Sequence, residues 1–415
     1  MNILLLNHYA GSQSHGMEFR PHELARRWVR EGHDITIMAG SYSHLRNLNP
    51  CTPDSVTEEV VDGVRFRWIP TRRYQGNGIG RALSMVDFLR GLGKESKSYL
   101  RRWVPDVVIA SSTYPFDIYP ARRIAHASGA KLIWEVHDLW PLSLIEIGGY
   151  SRWHPFILAT QVAEDACCRA SDAVVSILPA TDRHLVTRGL DPARFFHIPN
   201  GVDVGWRPRM GPSTLSSTIV SGATGAKPGA FTLGFAGTLS RTNGLETLFA
   251  ALSAIDDISI QLLLWGAGPW SAQCRERAER LPQHSVTLHG RVTRAQALDR
   301  LCECDAIYVG LEDQPLYRFG IGMNKIFDGM LCERPIIASY SAANDPIGDA
   351  NCGLRVAAGD VEGLAHAIRR VHGMSPDERN ALGAAGGRFV REFHSHDALA
   401  SRFLEVIRTT RRQHQ

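Results

Sequence analysis

Six short stretches carry residue types suited to a charged or hydroxylated ligand, and most of them follow an apolar run. In the first, Gly11-Ser-Gln-Ser-His-Gly16-Met17-Glu18-Phe19-Arg20-Pro21, a glycine loop leads into a helix start. Free backbone N–H groups and the helix dipole favour an anion there, most simply a phosphate. Gly16, Met17, Glu18 and Arg20 are the candidates, for a phosphate or an acceptor; an ordinary strand-to-helix turn is the plainer reading. The loop has neither the Lys-Ser/Thr of a P-loop nor a dinucleotide G-x-G-x-x-G. In the second, Trp134-Glu135-Val136-His137-Asp138, a strand ends in a His-Asp pair. An imidazole there can hydrogen-bond a sugar hydroxyl or a phosphate, and a carboxylate can hold such groups in place. The third, Phe196-His-Ile-Pro199-Asn200-Gly201-Val202-Asp203, taken alone is a turn.

The fourth, Gly234-Phe-Ala-Gly237-Thr238-Leu-Ser-Arg241-Thr-Asn243-Gly244, is a small-residue loop before a helix near Leu245. It is again an anion-binding geometry, with Gly237 and Thr238 in the loop and Arg241 as its cation. The fifth, Trp265-Gly266-Ala267-Gly268-Pro269, is a glycine turn through which a base or ribose could approach the backbone. The sixth is the richest: Tyr317-Arg318-Phe319-Gly320-Ile321-Gly322-Met323-Asn324-Lys325-Ile326-Phe327-Asp328. Gly320 and Gly322 precede a helix expected from Asn324, with Arg318 and Lys325 beside its start. Asn324 and Asp328, four apart, share a helical face. Cations and amides suit a diphosphate, and a carboxylate one turn on suits two ribose hydroxyls; the alternative is a capped surface helix. No D-x-D occurs, and Glu303-Cys304-Asp305 leads into an apolar strand, so no metal is expected. Leaving-group charge falls to Arg241, Arg318, Lys325 and helix N-termini.

These stretches need a scaffold of strand ends. Short apolar runs alternate with amphipathic segments along the 415 residues, the mark of parallel α/β structure. The predicted strands are 3–6, 34–39, 64–69, 107–110, 131–136 and 173–177, then 231–236, 259–265, 285–289, 306–309 and 335–338. A helix between the first two has Pro21 near its start and Gly32 at its end, with Leu24 and Trp28 on its buried face. Residues 205–230 are rich in Gly, Pro, Ser and Thr and read as a linker. The expected organisation is a first domain at 1–204, that linker, a second domain at 231–395 and a terminal helix within 396–415. The fold class is α/β, two Rossmann-like doubly wound domains facing a cleft, with ligands at the carboxyl ends of the strands.

Composition narrows the function. Hydrophobic residues make up 44%, which excludes disorder as the main state. Lys plus Arg is 46 against 42 Asp plus Glu, a net +4 that argues against charge-driven nucleic-acid binding. The eight cysteines are scattered, without C-x-x-C, as in a reduced cytoplasmic protein. The opening apolar run is short for a signal peptide, and no stretch approaches the ~20 apolar residues of a membrane span. The expected location is the cytoplasm or the inner face of the membrane. Residues 79–102 mix Leu83, Met85, Val86 and Phe88 with basic residues, which suits either an anionic lipid surface or a helix packed on its own domain.

In order and spacing these motifs resemble the two-domain GT-B glycosyltransferases of family 4. The resemblance rests on Gly16-Met17-Glu18 with Gly32-His33-Asp34, on Val136-His137-Asp138, on Ile198-Pro199-Asn200-Gly201-Val202-Asp203, and on the sixth stretch followed by Arg334-Pro335. The run Arg318–Asp328 looks like the branch that builds bacterial O-antigen and capsule, including N-acetyl-L-fucosamine transferases. The resemblance implies a UDP-sugar donor as substrate, no cofactor, a lipid-diphosphate saccharide acceptor and retention of anomeric configuration. It also implies front-face attack, with the second domain holding the nucleotide and closure bringing His137 against the sugar. His137, Lys325 and Arg241 are then catalytic, and Gly237, Thr238, Gly266, Gly268, Arg318, Gly320, Asn324 and Asp328 bind the donor. Gly16, Met17, Glu18, Arg20 and Asp138 face the acceptor or a phosphate. The chain departs from the family pattern at Gly320, where the first Glu of an E-x7-E pair stands, and at Thr238 and Asn243, which replace an Arg and a Lys. A sugar-nucleotide epimerase and a non-catalytic binding protein are the competing readings.

Overall fold

A computed structural model describes residues 1–16, 20–50, 55–76, 78–206, 218–221 and 230–412. Contacts divide the chain into a first unit, 1–200 with 396–415, and a second unit, 201–395.

The first unit opens with β1 (Asn2–Leu6), α1 (Arg20–Arg30), β2 (Asp34–Gly40), β3 (Thr57–Val61) and β4 (Val64–Ile69). It continues through α2 (Ile79–Tyr99), β5 (Val107–Ala110), α3 (Ile118–Ser128) and β6 (Lys131–Val136). Then come α4 (Leu142–Glu146), α5 (Pro155–Ala170), β7 (Ala173–Ser176), α6 (Asp182–Leu185) and β8 (Phe195–His197). The strands order as β3-β4-β2-β1-β5-β6-β7-β8, all parallel except the β3–β4 hairpin. β1 lies at the centre, paired to β2 and β5, and Ile3 to Leu6 are buried because helices cover both faces. On one face, Leu24 and Trp28 of α1 are fully buried, and Trp28 meets Phe403 edge-on at 5.4 Å. On the other, α2, α3 and α5 pack side by side.

The second unit runs β9 (Thr218–Ser221), β10 (Phe231–Ala236), α7 (Leu245–Ser253), β11 (Ile260–Trp265), α8 (Ser271–Glu279) and β12 (Ser285–Gly290). It continues with α9 (Arg294–Leu301), β13 (Ala306–Gly310), α10 (Asn324–Leu331) and β14 (Ile336–Ser339). It closes with α11 (Pro346–Ala350), β15 (Gly353–Val356), α12 (Val361–His372) and α13 (Pro376–Phe393). Its strand order is β15-β14-β13-β10-β11-β12-β9, parallel but for β9. The glycine loops after β10 and β11 and the segment leading into α10 therefore sit at carboxyl ends of parallel strands.

The boundaries differ from those read in the sequence. The division falls after Asn200 rather than 204. Most of 205–230 lies outside the described residues, but Thr218–Ser221 within it pairs with β12 as a strand of the second unit. The terminal helix α14 (His396–Arg412) belongs to the first unit, because Leu399, Phe403, Leu404 and Ile407 fill the core over α1.

Candidate active site

In the first unit, polar side chains gather where β1, β5 and β6 end. His137 follows β6, with Nε2 3.0 Å from the Ser111 hydroxyl and 3.2 Å from Glu135. Ser111 donates to the same Glu135 oxygen at 2.6 Å, and Asn7 donates to the Ser111 carbonyl at 2.6 Å. With its acceptors on that side, Nε2 carries the proton. Glu135 is fully buried. Burial opposes its charge, but Arg20 and His137, with the Ser111 hydrogen bond, hold its carboxyl far below the usual range. The cluster thus presents an oriented imidazole in front of an ionised carboxylate.

Arg20 is engaged by the protein itself. Its guanidinium donates to Glu135 at 2.9 Å, to the Pro199 carbonyl at 2.6 Å and to the Ile198 carbonyl at 2.9 Å. It pins the turn after β8 to the centre of the sheet. Asp138 also works locally: its oxygens accept from the Leu139 amide, the Trp140 indole and the Ser143 hydroxyl, and its pKa is raised by burial. Gly16 has φ +107°, and a Cβ there would meet the Asn47 amide. Met17 and Glu18 lie outside the described residues.

The second unit builds its cluster around Lys325, in the first turn of α10. Its Nζ donates to Asn243 Oδ1 at 2.7 Å, while Asn243 Nδ2 donates to the Thr238 carbonyl at 2.7 Å. Gly237 leaves room beside it: a Cβ there would meet Lys325 Nζ at 2.6 Å. Burial pushes the ammonium down to about 8. Among the described residues no carboxylate pairs with it, and the start of α10 has no side-chain cap. Lys325, Asp328, Arg294 and Tyr308 line one cavity of about 40 Å³.

The other predicted cations stand apart from this cluster. Arg241 lies between Glu246 at 3.0 Å and Glu312 at 3.1 Å, and its side chain is 61% exposed. Arg318 donates to the Pro315 carbonyl at 2.6 Å and lies over the Phe319 ring. Asp328 is gripped by Arg294 through both oxygens, and Asn324 is exposed at the helix start. Gly320 is buried with φ +107°. Gly266 and Gly268 let two loops pack closely: a Cβ on either would strike the backbone of the preceding glycine loop, at Gly237 and at Leu239. The sequence reading missed Asn243, Arg294, Ser111 and Glu135 as site residues. Only Glu135 announced itself, as a carboxylate inside an apolar strand. Among the described residues no group of three or more His, Cys, Asp or Glu is placed to hold a metal ion.

Comparison with known proteins matches these two halves separately. The family pattern described as "Glycosyl transferase 4-like domain" matches residues 15–201, and that of "Glycosyl transferases group 1" matches 230–373. No curated protein sequence matches the chain. Among solved structures, sucrose-phosphate synthase from Thermosynechococcus elongatus superposes with a TM-score of 0.69 at 17% identity, over 98% of both chains. Anabaena HepE in complex with UDP-glucose gives 0.63 at 13%, over 99% of this chain and 100% of that one. The lipopolysaccharide outer core galactosyltransferase WaaB, in its apo form, gives 0.62 at 14%, over 99% of each. At these identities the likeness is one of fold.

Proposed function

We propose that this chain, with the two-domain GT-B fold and halves that match a glycosyl transferase 4-like domain and the glycosyl transferases group 1, moves a sugar from a UDP-sugar to a lipid-linked or saccharide acceptor in surface polysaccharide synthesis. The sugar of this reading is an N-acetylated deoxyhexose, carried over from the resemblance of 318–328. The second unit holds the donor and the first the acceptor. The observation that carries the reading is Lys325. A half-buried ammonium whose hydrogen-bond partner is a neutral amide, beside an uncapped helix start, suits an anion. A diphosphate supplies that charge, and a cation aimed at the leaving group acts without a metal. Asp328, once it exchanges Arg294 for hydroxyls, suits the ribose. In the first unit, His137 with its proton fixed on Nε2 is a hydrogen-bonding group for a sugar hydroxyl. UDP-glucose in HepE is support by analogy of fold.

The reading extends to retention, with the acceptor attacking on the face the diphosphate leaves and the diphosphate taking the acceptor proton. The test is a mass-spectrometric screen of nucleotide sugars against a lipid-diphosphate N-acetylhexosamine, followed by NMR of the product's anomeric centre. Transfer from a UDP-sugar with retention is expected. Conversion of a UDP-sugar without acceptor identifies an epimerase, and UDP binding without turnover on any donor identifies a binding protein; either overturns the proposal.

A further inference from the structure

The first unit has one surface whose composition differs from the rest. Of the fourteen large hydrophobic side chains exposed among the described residues, ten lie between Ile79 and Val162. They are not scattered. Helices α2, α3 and α5 pack side by side on one face of a parallel sheet, so all three start at its carboxyl edge. The apolar residues occupy those starts: Ile79 and Leu83 on α2, Tyr119 on α3, and Trp153 and Leu158 at α5. Trp153 is 74% exposed and Ile79 80%.

Beyond those starts, exposed positions of the same helices are basic. On α2 the exposed residues 79, 83, 86, 90, 94 and 97 recur at steps of three and four, so they form one stripe. It is apolar for its first half and becomes Arg90, Lys94 and Lys97. Arg122 and Arg123 on α3 and Arg169 on α5 are likewise exposed. The acids of α2 and α5 are neutralised within the unit. Asp87 is held by Arg72 at 2.6 Å and Glu95 by Arg67, while Glu164 is buried against His184 and Asp165 pairs with Arg188 at 2.7 Å. Helix α3 has no acid. The face therefore combines an apolar band with a band of uncompensated cations, the pattern of a surface that rests on anionic lipid.

We propose that the α2–α3–α5 face seats the protein on an anionic bilayer, with the apolar band in the headgroup boundary and the cations over the phosphates. The apolar band lies at the sheet edge where Ser111 and His137 stand, so this seating places the first unit's polar cluster close to the lipid surface. In purpose this rests on the reading of a lipid-linked acceptor; the surface pattern is independent of it.

The experiment is sedimentation of the full chain with phosphatidylcholine vesicles, with and without phosphatidylglycerol, at low salt. Binding that requires phosphatidylglycerol is expected. Lys94→Gln with Lys97→Gln should weaken it roughly 25-fold. Trp153→Ser with Leu158→Ser, both exposed, should weaken the binding that survives high salt. Absence of binding, equal binding to pure phosphatidylcholine, or binding unchanged in both double variants overturns the proposal. Turnover of a water-soluble acceptor separates the two readings. A protein that turns over but ignores vesicles refutes the seating alone, and one that binds vesicles without turnover on any donor refutes the transferase alone.

Discussion

Replacing Lys325 by methionine separates what this side chain does for a ligand from what it does to the fold. Burial takes its ammonium from an ordinary 10.5 to about 8. At ~1.4 kcal/mol per pH unit, holding the cation there disfavours the folded state by about 3 kcal/mol, reduced to about 2 by partial exposure. The sign follows from proton counts. Between pH 8 and 10.5 the unfolded chain holds more protons than the folded one, so stability rises with pH there, and at neutral pH the penalty is fully present. Methionine keeps the length and removes the charge, but loses the hydrogen bond to Asn243, worth about 1 kcal/mol. The second unit should therefore melt at the wild-type temperature or a few degrees higher. Turnover should fall by about two to three orders of magnitude, as when a donor to developing charge is removed.

The assay pairs calorimetric melting with turnover at pH 7, then titrates UDP by calorimetry at pH 7 and pH 9. Wild-type affinity should weaken about tenfold between those pH values as the ammonium titrates, and Lys325→Met should show no such dependence. A folded variant with near-normal turnover refutes the reasoning. So does wild-type UDP affinity that is flat across this range, or a variant whose lost activity is matched by a melting temperature far below wild type.

Arg241→Ala should change turnover less than about threefold, because exposed pairs like those with Glu246 and Glu312 contribute little; a hundredfold loss would restore Arg241 to the site. Gly266→Ala should destabilise the second unit by about 2–4 kcal/mol, since φ is +149° and the added Cβ strikes the Gly237 carbonyl; urea unfolding measures it. Asp117 is buried with one carboxyl oxygen unpartnered, and burial raises its pKa to about 7. Its folded state holds a proton that the unfolded state releases near pH 4, so stability falls as pH rises from 4 to 7. Asp117→Asn should remove about 3 kcal/mol of the stability difference between pH 5 and pH 8, read as a smaller gap between melting temperatures.

Much of the scaffold was legible because buried parallel strands write themselves as unbroken apolar runs: Ile3–Leu6 and Val107–Ala110 needed no partner to be recognised. The edge strand Thr57–Val61 escaped because its alternating burial leaves Glu58 and Val60 exposed, and Gly353–Val356 escaped because this edge strand is only partly buried, with Arg355 exposed. At the candidate site, single residue types such as Lys325 and His137 could be picked out as candidates from the sequence, whereas partners distant in sequence could not. Arg20 finds Glu135, Ile198 and Pro199 more than a hundred residues away, and Arg241 finds Glu312 across the loop after β13. At Gly266 the sequence does not show that the Gly237 carbonyl of the neighbouring loop occupies the place a side chain would take.

Helix α14 imposes an order on synthesis. The second unit is complete once Ser395 has been made, with Val202 already bonded to the His394 carbonyl. The first unit, though its strands emerge earliest, waits. Trp28 donates to the Ala400 carbonyl at 3.0 Å, Arg27 pairs with Asp397 at 2.9 Å, and Phe403 and Leu404 are wholly buried over α1. Until residues 396–412 leave the ribosome, the nascent chain carries a finished body downstream of an unfinished one whose α1 face is still apolar and uncovered. A nascent-chain chaperone therefore has a client surface here on α1 until residues 396–412 have been made.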